Sequence, residues 1–188
     1  MPDRRAWSFA AIGALLGLAA GLAVWGGFPE STAAATSPAA VQLTPVTAPV
    51  VGGLAPEFEA AELDGDVFRL SQARGRIVLL NFWATWCDPC RAEMPLLQAR
   101  SRDFESAGLQ VVGVNFDEPE NEVRAFQDEL GLTFRIVMDP GGQVQALYKV
   151  LGYPTTFFVD EVGVIRFVHI GSMDADQLDG YLREMGLG

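Results

Sequence analysis

The sequence predicts an α/β domain built on one mixed sheet, and three observations carry that expectation. Short apolar runs alternate with amphipathic helical stretches between residues 77 and 148. The run Ile77–Trp83 is nearly continuous in apolar residues, as in a strand buried on both faces and central in its sheet. Further on, two strand-like runs joined by a tight turn and followed by an amphipathic helix add antiparallel strands to a parallel core.

Taken in order, residues 55–70 read as a β-hairpin, with Phe58 and Val67 flanking the turn signal Asp64-Gly65. Within Ile77–Trp83 only Asn81 is polar, and if buried it needs a partner. A helix is expected from Pro89 to Ala107, with Met94, Leu97 and Phe104 on its apolar face. Pro95 falls inside it, where a kink is expected, and Gly108 ends it. Leu109–Phe116 is the next buried strand. A second helix opens at Pro119-Glu120, carries Val123, Phe126 and Leu130 on one face, and stops at Gly131. Phe134–Met138 reads as a strand, Asp139-Pro140-Gly141-Gly142 as a turn and Gln143–Tyr148 as a short helix. Thr155–Val159 and Val164–Ile170 pair across Asp160-Glu161-Val162-Gly163, and Asp174–Met185 closes the chain as a helix.

Ahead of the domain, Arg4 and Arg5 precede an uncharged apolar run from Ala6 to about Phe28. That run has about the 20 residues a bilayer-spanning helix needs, and Trp7 and Trp25 stand near its ends. The basic flank predicts a cytoplasmic terminus at 1–5, a transmembrane anchor at 6–28 and an extracytoplasmic remainder. The rival reading is a cleaved signal peptide, with Ala33-Ala34-Ala35 as the cleavage region. Residues 29–52 are rich in Ala, Thr, Ser, Pro and Val with one charge, Glu30, and are expected to form a flexible tether. The folded domain is then 53–188. A net charge of −11 at pH 7 makes nucleic acid and anionic membrane surfaces poor partners.

The chemistry concentrates at Trp86-Cys87-Asp88-Pro89-Cys90, which holds both cysteines of the chain. Two cysteines and the lone His169 fall short of a four-ligand zinc site. A structural disulfide closing so short a loop removes little chain entropy. A strand that delivers Cys-x-x-Cys to a helix N-terminus suits dithiol–disulfide exchange. The cysteines then share one helix face, and the helix end stabilises the thiolate of Cys87. Pro89 fits the first turn, where its missing N–H would be unpaired anyway. No cofactor beyond the dithiol is expected.

The segment Asn81-Phe82-Trp83-Ala84-Thr85-Trp86-Cys87-Asp88-Pro89-Cys90, the in-helix Pro95 and Gly152-Tyr153-Pro154-Thr155-Thr156-Phe157 resemble a thioredoxin fold. More specifically they are similar to the membrane-anchored TlpA/ResA-type thiol–disulfide oxidoreductases, over roughly residues 54–186. The resemblance implies Cys87 as attacking thiolate, Cys90 as resolving thiol, and Pro154 as a cis-proline. The backbone of Tyr153 would then bind a partner's extended chain. Trp86, Tyr153, Pro154 and Thr155 form the implied substrate surface, and Glu118–Met138 is the implied helix–strand insert. Thioredoxins keep a buried aspartate where this chain has Asn81, so Glu93 is expected to accept the Cys90 proton and to raise the cysteine pKa values. Asp88 adds a second charge opposing the thiolate.

The implied activity is reduction of protein cysteine pairs, such as those of apocytochrome c, with electrons from a membrane thiol transporter. Three alternatives stay open: a disulfide-forming oxidant, a copper-handling oxidase-assembly module, and a peroxiredoxin-like peroxidase. The last lacks Pro-x-x-x-Thr-x-x-Cys, since Thr85 stands directly before Trp86-Cys87. His169 is expected to be an edge-strand residue rather than a catalyst.

Overall fold

Seven consecutive buried residues, Ile77–Trp83, form β3 at the centre of a five-stranded sheet. The structure, a computed structural model, describes residues 46–188; the expected anchor at 6–28 and the tether as far as residue 45 lie outside the described residues. Among the described residues no helix is long and apolar enough to cross a membrane.

Side chains alternate along a strand, and both faces of β3 are covered. Ile77, Leu79 and Trp83 enter a core closed by α1 (Asp88–Phe104), α2 (Glu120–Leu130) and α4 (Ala175–Glu184), through residues such as Leu97, Phe126 and Leu178. Val78, Leu80 and Phe82 face a second core. That core is closed by a hairpin of β1 (Glu59–Ala61) and β2 (Val67–Arg69) and by α3 (Gln143–Tyr148). Its centre is aromatic: the Tyr148 ring stands 5.4 Å from Phe82 and 5.1 Å from Phe157, and its hydroxyl donates to Pro56 O at 2.8 Å.

β3 pairs in parallel with β4 (Leu109–Phe116) and antiparallel with β6 (Thr155–Val159). β5 (Arg135–Asp139) lies parallel beyond β4, and β7 (Ile165–Ile170) antiparallel beyond β6, giving the order β5-β4-β3-β6-β7. The hairpin reaches the β5 edge, where Leu63 N–H donates to Ile136 O at 2.9 Å. This is the thioredoxin-like α/β arrangement, a mixed sheet with flanking helices.

Helix α1 continues through Pro95 to Phe104, and a single 3-10 turn, Glu105–Ala107, precedes Gly108. Gly108 takes φ 98°, a left-handed value that suits glycine, and turns the chain directly into β4. The strand expected at Phe134–Met138 forms one residue later, so that Asp139 pairs with Phe116.

The ordered fold begins before the expected boundary at Gly53. Gly52 N–H donates to Ile165 O at 2.8 Å, Ile165 N–H to Gly53 O at 2.9 Å, and Leu54 N–H to Val46 O at 3.0 Å. Of residues 46–52, assigned to the tether by composition, Gly52 thus bonds to β7 and Val46 folds back on Leu54. The reason is that β7 is an edge strand with unpaired backbone groups, which a segment without any apolar period can still satisfy.

Gly113 on β4 stands in register with Asn81. A Cβ there would lie 2.8 Å from Trp83 Nε1 and 3.2 Å from Phe134 Cε2. Gly113→Ala is therefore expected to cost about 1–3 kcal/mol by overpacking. The check is the urea midpoint followed by tryptophan fluorescence; an unchanged midpoint would contradict this packing.

Candidate active site

The carboxyl ends of β3, β4 and β5 reach one rim of the sheet, where α/β folds form crevices. β3 runs through Ala84 and Thr85 into Cys87, which caps α1 with extended backbone (φ −87°, ψ 99°). Its Sγ accepts from Cys90 N–H at 3.2 Å. Pro89 occupies the first turn, where no N–H is needed. Cys87 and Cys90 are joined as a disulfide, with Cα atoms 5.2 Å apart. Cys87 is 6% exposed and Cys90 1%, so an incoming thiol or disulfide reaches Cys87 first. The helix end favours the thiolate at that same sulfur.

Facing the disulfide is Tyr153–Pro154, joined by a cis peptide bond as the resemblance implied. Trp86, 64% exposed, meets the Tyr153 ring edge-to-face at 5.7 Å. Trp86, Cys87, Asp88, Pro89, Leu151, Gly152 and Tyr153 line an open cavity of about 480 Å³. Of the four residues expected to meet a partner, Trp86 and Tyr153 line this cavity. Thr155 behaves differently from the rest: it is buried, and its hydroxyl donates to Gly152 O at 2.8 Å. That bond shapes the loop before β6 and leaves the Thr155 side chain turned inward. Asp88 is exposed to solvent beside Cys87.

Glu93 is buried, 2% exposed, on α1 one turn beyond Cys90. Its Oε1 accepts from Met173 N–H at 3.2 Å, and its Oε2 has no partner. Burial pushes its pKa up to about 7, opposed by the Met173 N–H and by the Asn81 amide. Asn81 is fully buried; its Nδ2 donates to Thr156 Oγ1 at 2.9 Å, while its Oδ1 is unpartnered. Two unpartnered acceptor oxygens in one buried neighbourhood favour a proton on the Glu93 carboxyl. A carboxyl that titrates near neutrality on the same helix face as Cys90 is chemically fit to take up a thiol proton.

Sequence reasoning missed a third group. The Glu118 carboxylate accepts from Thr85 N–H at 2.7 Å, Thr85 Oγ1 at 2.5 Å and Asn115 Nδ2 at 2.6 Å. Close by, the Tyr153 hydroxyl is buried without a partner. Burial raises its pKa to about 12, and the charges of Asp139 and Glu118 add to the rise. Polar residues at the ends of two strands gave no periodic signal for this cluster. His169 sits on the edge strand β7, with Nδ1 3.2 Å from Tyr181 Oη, away from the dithiol elements. Among the described residues no group of three or more His, Cys, Asp or Glu could hold a metal ion.

A thioredoxin-like sheet, a Cys-x-x-Cys capping the helix after its central strand and a cis-proline opposite together define a thiol–disulfide oxidoreductase. Comparison with known proteins agrees. The AhpC/TSA family model matches residues 51–168. The chain is 41% identical to thiol-disulfide oxidoreductase ResA of Oceanobacillus iheyensis over 139 residues, covering 72% of each protein. It is 44% identical to thioredoxin-like protein YneN of Bacillus subtilis over 131 residues, 68% of this chain and 76% of that one. Among solved structures, one described as thiol:disulfide interchange protein DsbE from Chlorobium tepidum superposes with TM-score 0.65 at 34% identity, over 71% of this chain and 94% of that one. The chain belongs to the AhpC/TSA family, among the thiol–disulfide oxidoreductases of the ResA/YneN type.

Proposed function

We propose that this oxidoreductase is an extracytoplasmic reductase of protein disulfides, held to the membrane by residues 6–28. Its targets are cysteine pairs in partner proteins such as apocytochrome c, and a membrane thiol transporter renews its electrons. In the reaction, the Cys87 thiolate attacks one sulfur of the partner disulfide, and the other partner sulfur leaves as a thiolate. Cys90 gives its proton to Glu93 and attacks Cys87 in the mixed disulfide. The second partner sulfur leaves, two electrons have passed to the partner, and the Cys87–Cys90 disulfide remains.

The observation that carries the direction is the buried Glu93. A thiolate-stabilising site favours the reduced dithiol and makes an oxidant. Here a buried carboxyl stands one helical turn beyond Cys90 and Asp88 is exposed beside Cys87, and both oppose thiolate formation. The similarity to ResA supports thiol–disulfide exchange as the chemistry.

The test is stoichiometric. Reduced protein is mixed with a peptide carrying a disulfide-closed Cys-x-x-Cys-His motif, and free thiols on the peptide are counted. Transfer of both electrons to the peptide is expected. A peptide that stays oxidised, while the disulfide form of the protein oxidises the same peptide's dithiol, would reverse the direction.

A further inference from the structure

We infer that Glu118 is a positioning residue, whose carboxylate ties the Thr85–Trp86 turn to the end of β4 and so sets where Cys87 stands against the Tyr153–Pro154 backbone. The turn from β3 into α1 is short. One backbone bond closes it, Cys87 N–H to Ala84 O at 3.2 Å. The Thr85 N–H and hydroxyl, both within that turn, go instead to one side chain 33 residues away. Glu118 Oε2 takes the Thr85 N–H and the Asn115 amide together, and Oε1 takes the Thr85 hydroxyl. Hydrogen bonds to a charged acceptor are short and directional, so this fork fixes position as well as affinity. Asn115 is fully buried on a central strand, which makes the anchor point rigid.

The same segment also supports the opposite wall. Phe116 packs against the Tyr153 ring at 5.8 Å between centroids, and Tyr153 in turn meets Trp86. Asn115–Glu118 thus touches both sides of the groove in which a partner disulfide must lie. A partner protein has to align its backbone with Tyr153 while its sulfur meets Cys87, so it needs the two walls in register. A small disulfide needs only the sulfur. The clamp is therefore a determinant of selectivity for protein disulfides over small ones.

The inference rests on the oxidoreductase activity and not on its direction. The test uses the full chain in mild detergent and two probes, insulin as a protein disulfide and 5,5′-dithiobis(2-nitrobenzoate) as a small one. In Glu118→Gln the amide oxygen keeps both N–H bonds and the NH₂ group donates to the Thr85 hydroxyl, so geometry survives while charge is lost. Glu118→Ala removes all three bonds, and Thr85→Val removes only the hydroxyl bond.

Glu118→Ala is expected to slow insulin reduction by roughly ten- to a hundredfold, the scale of a misplaced reacting group, with little change toward the small disulfide. Glu118→Gln should stay close to the unmodified protein with both probes, and Thr85→Val should fall between them on insulin. Insulin reduction at the original rate in Glu118→Ala would overturn the inference. So would an equal loss in Glu118→Gln, or equal slowing toward both probes. Should Glu118→Ala fail to fold, an unaltered insulin rate in Thr85→Val overturns it alone. If the unmodified protein does not reduce insulin, the reductase reading fails instead, and the same ratio is read in the oxidation of reduced insulin chains.

Discussion

Replacing Cys87 with serine is expected to abolish disulfide exchange, a loss of more than about 10³-fold, as when other covalent nucleophiles are removed. The reason is access as much as chemistry. Cys87, at the capped end of α1, is 6% exposed, more than Cys90 at 1%. Cys90→Ser should behave differently. The attack by Cys87 survives, but nothing resolves the mixed disulfide, so the protein accumulates covalently bound to its partner. Non-reducing electrophoresis with mass spectrometry of the adduct separates the two outcomes. A Cys87→Ser protein that forms adducts through Cys90 as fast as Cys90→Ser forms them through Cys87 would exchange the two roles.

The second large effect belongs to Glu93. In the folded oxidised protein its carboxyl holds a proton up to about 7, whereas in the unfolded chain it releases it near 4.5. Between those values the folded state binds the extra proton. The associated stability is complete below about 4.5 and is lost as pH rises through about 7. The gap corresponds to on the order of 3 kcal/mol. Glu93→Gln cannot titrate. Its urea midpoint should be flat across that window and should exceed the parent protein's at pH 8, where the parent buries a charge. Curves that run parallel through the window would contradict the burial argument. In exchange, the variant cannot receive the Cys90 proton, so the resolving step should slow by about 10²-fold, typical of a lost general base. The mixed disulfide would then persist, as in Cys90→Ser but transiently.

Most of the fold was legible because its signals were local. The Ile77–Trp83 run marked the central strand, and residue alternation along it distributes Ile77, Leu79 and Trp83 to one core and Val78, Leu80 and Phe82 to the other. Gly108 and Gly131 ended helices where expected. Of the site residues, Cys87, Trp86 and Tyr153 line one cavity, Cys90 is bonded to Cys87, Tyr153–Pro154 is cis, and Glu93 is buried on α1. What escaped depended on tertiary neighbours. The bond from Gly52 to Ile165 depends on the open edge of β7, which composition does not report. Glu118 meets Thr85 only because β3 and β4 end side by side. The inward turn of the Thr155 side chain likewise depends on a carbonyl three residues earlier, at Gly152.

The reduction potential of the Cys87–Cys90 pair tests the central claim most directly, by equilibrating the protein with a dithiol redox buffer. A reductase tuned by the buried Glu93 should give a value near or below about −220 mV, in the range of glutaredoxins and thioredoxin. A value near about −120 mV, the range of a strong dithiol oxidant, would mean that electrons flow from partner to protein and that Glu93 does not set the direction.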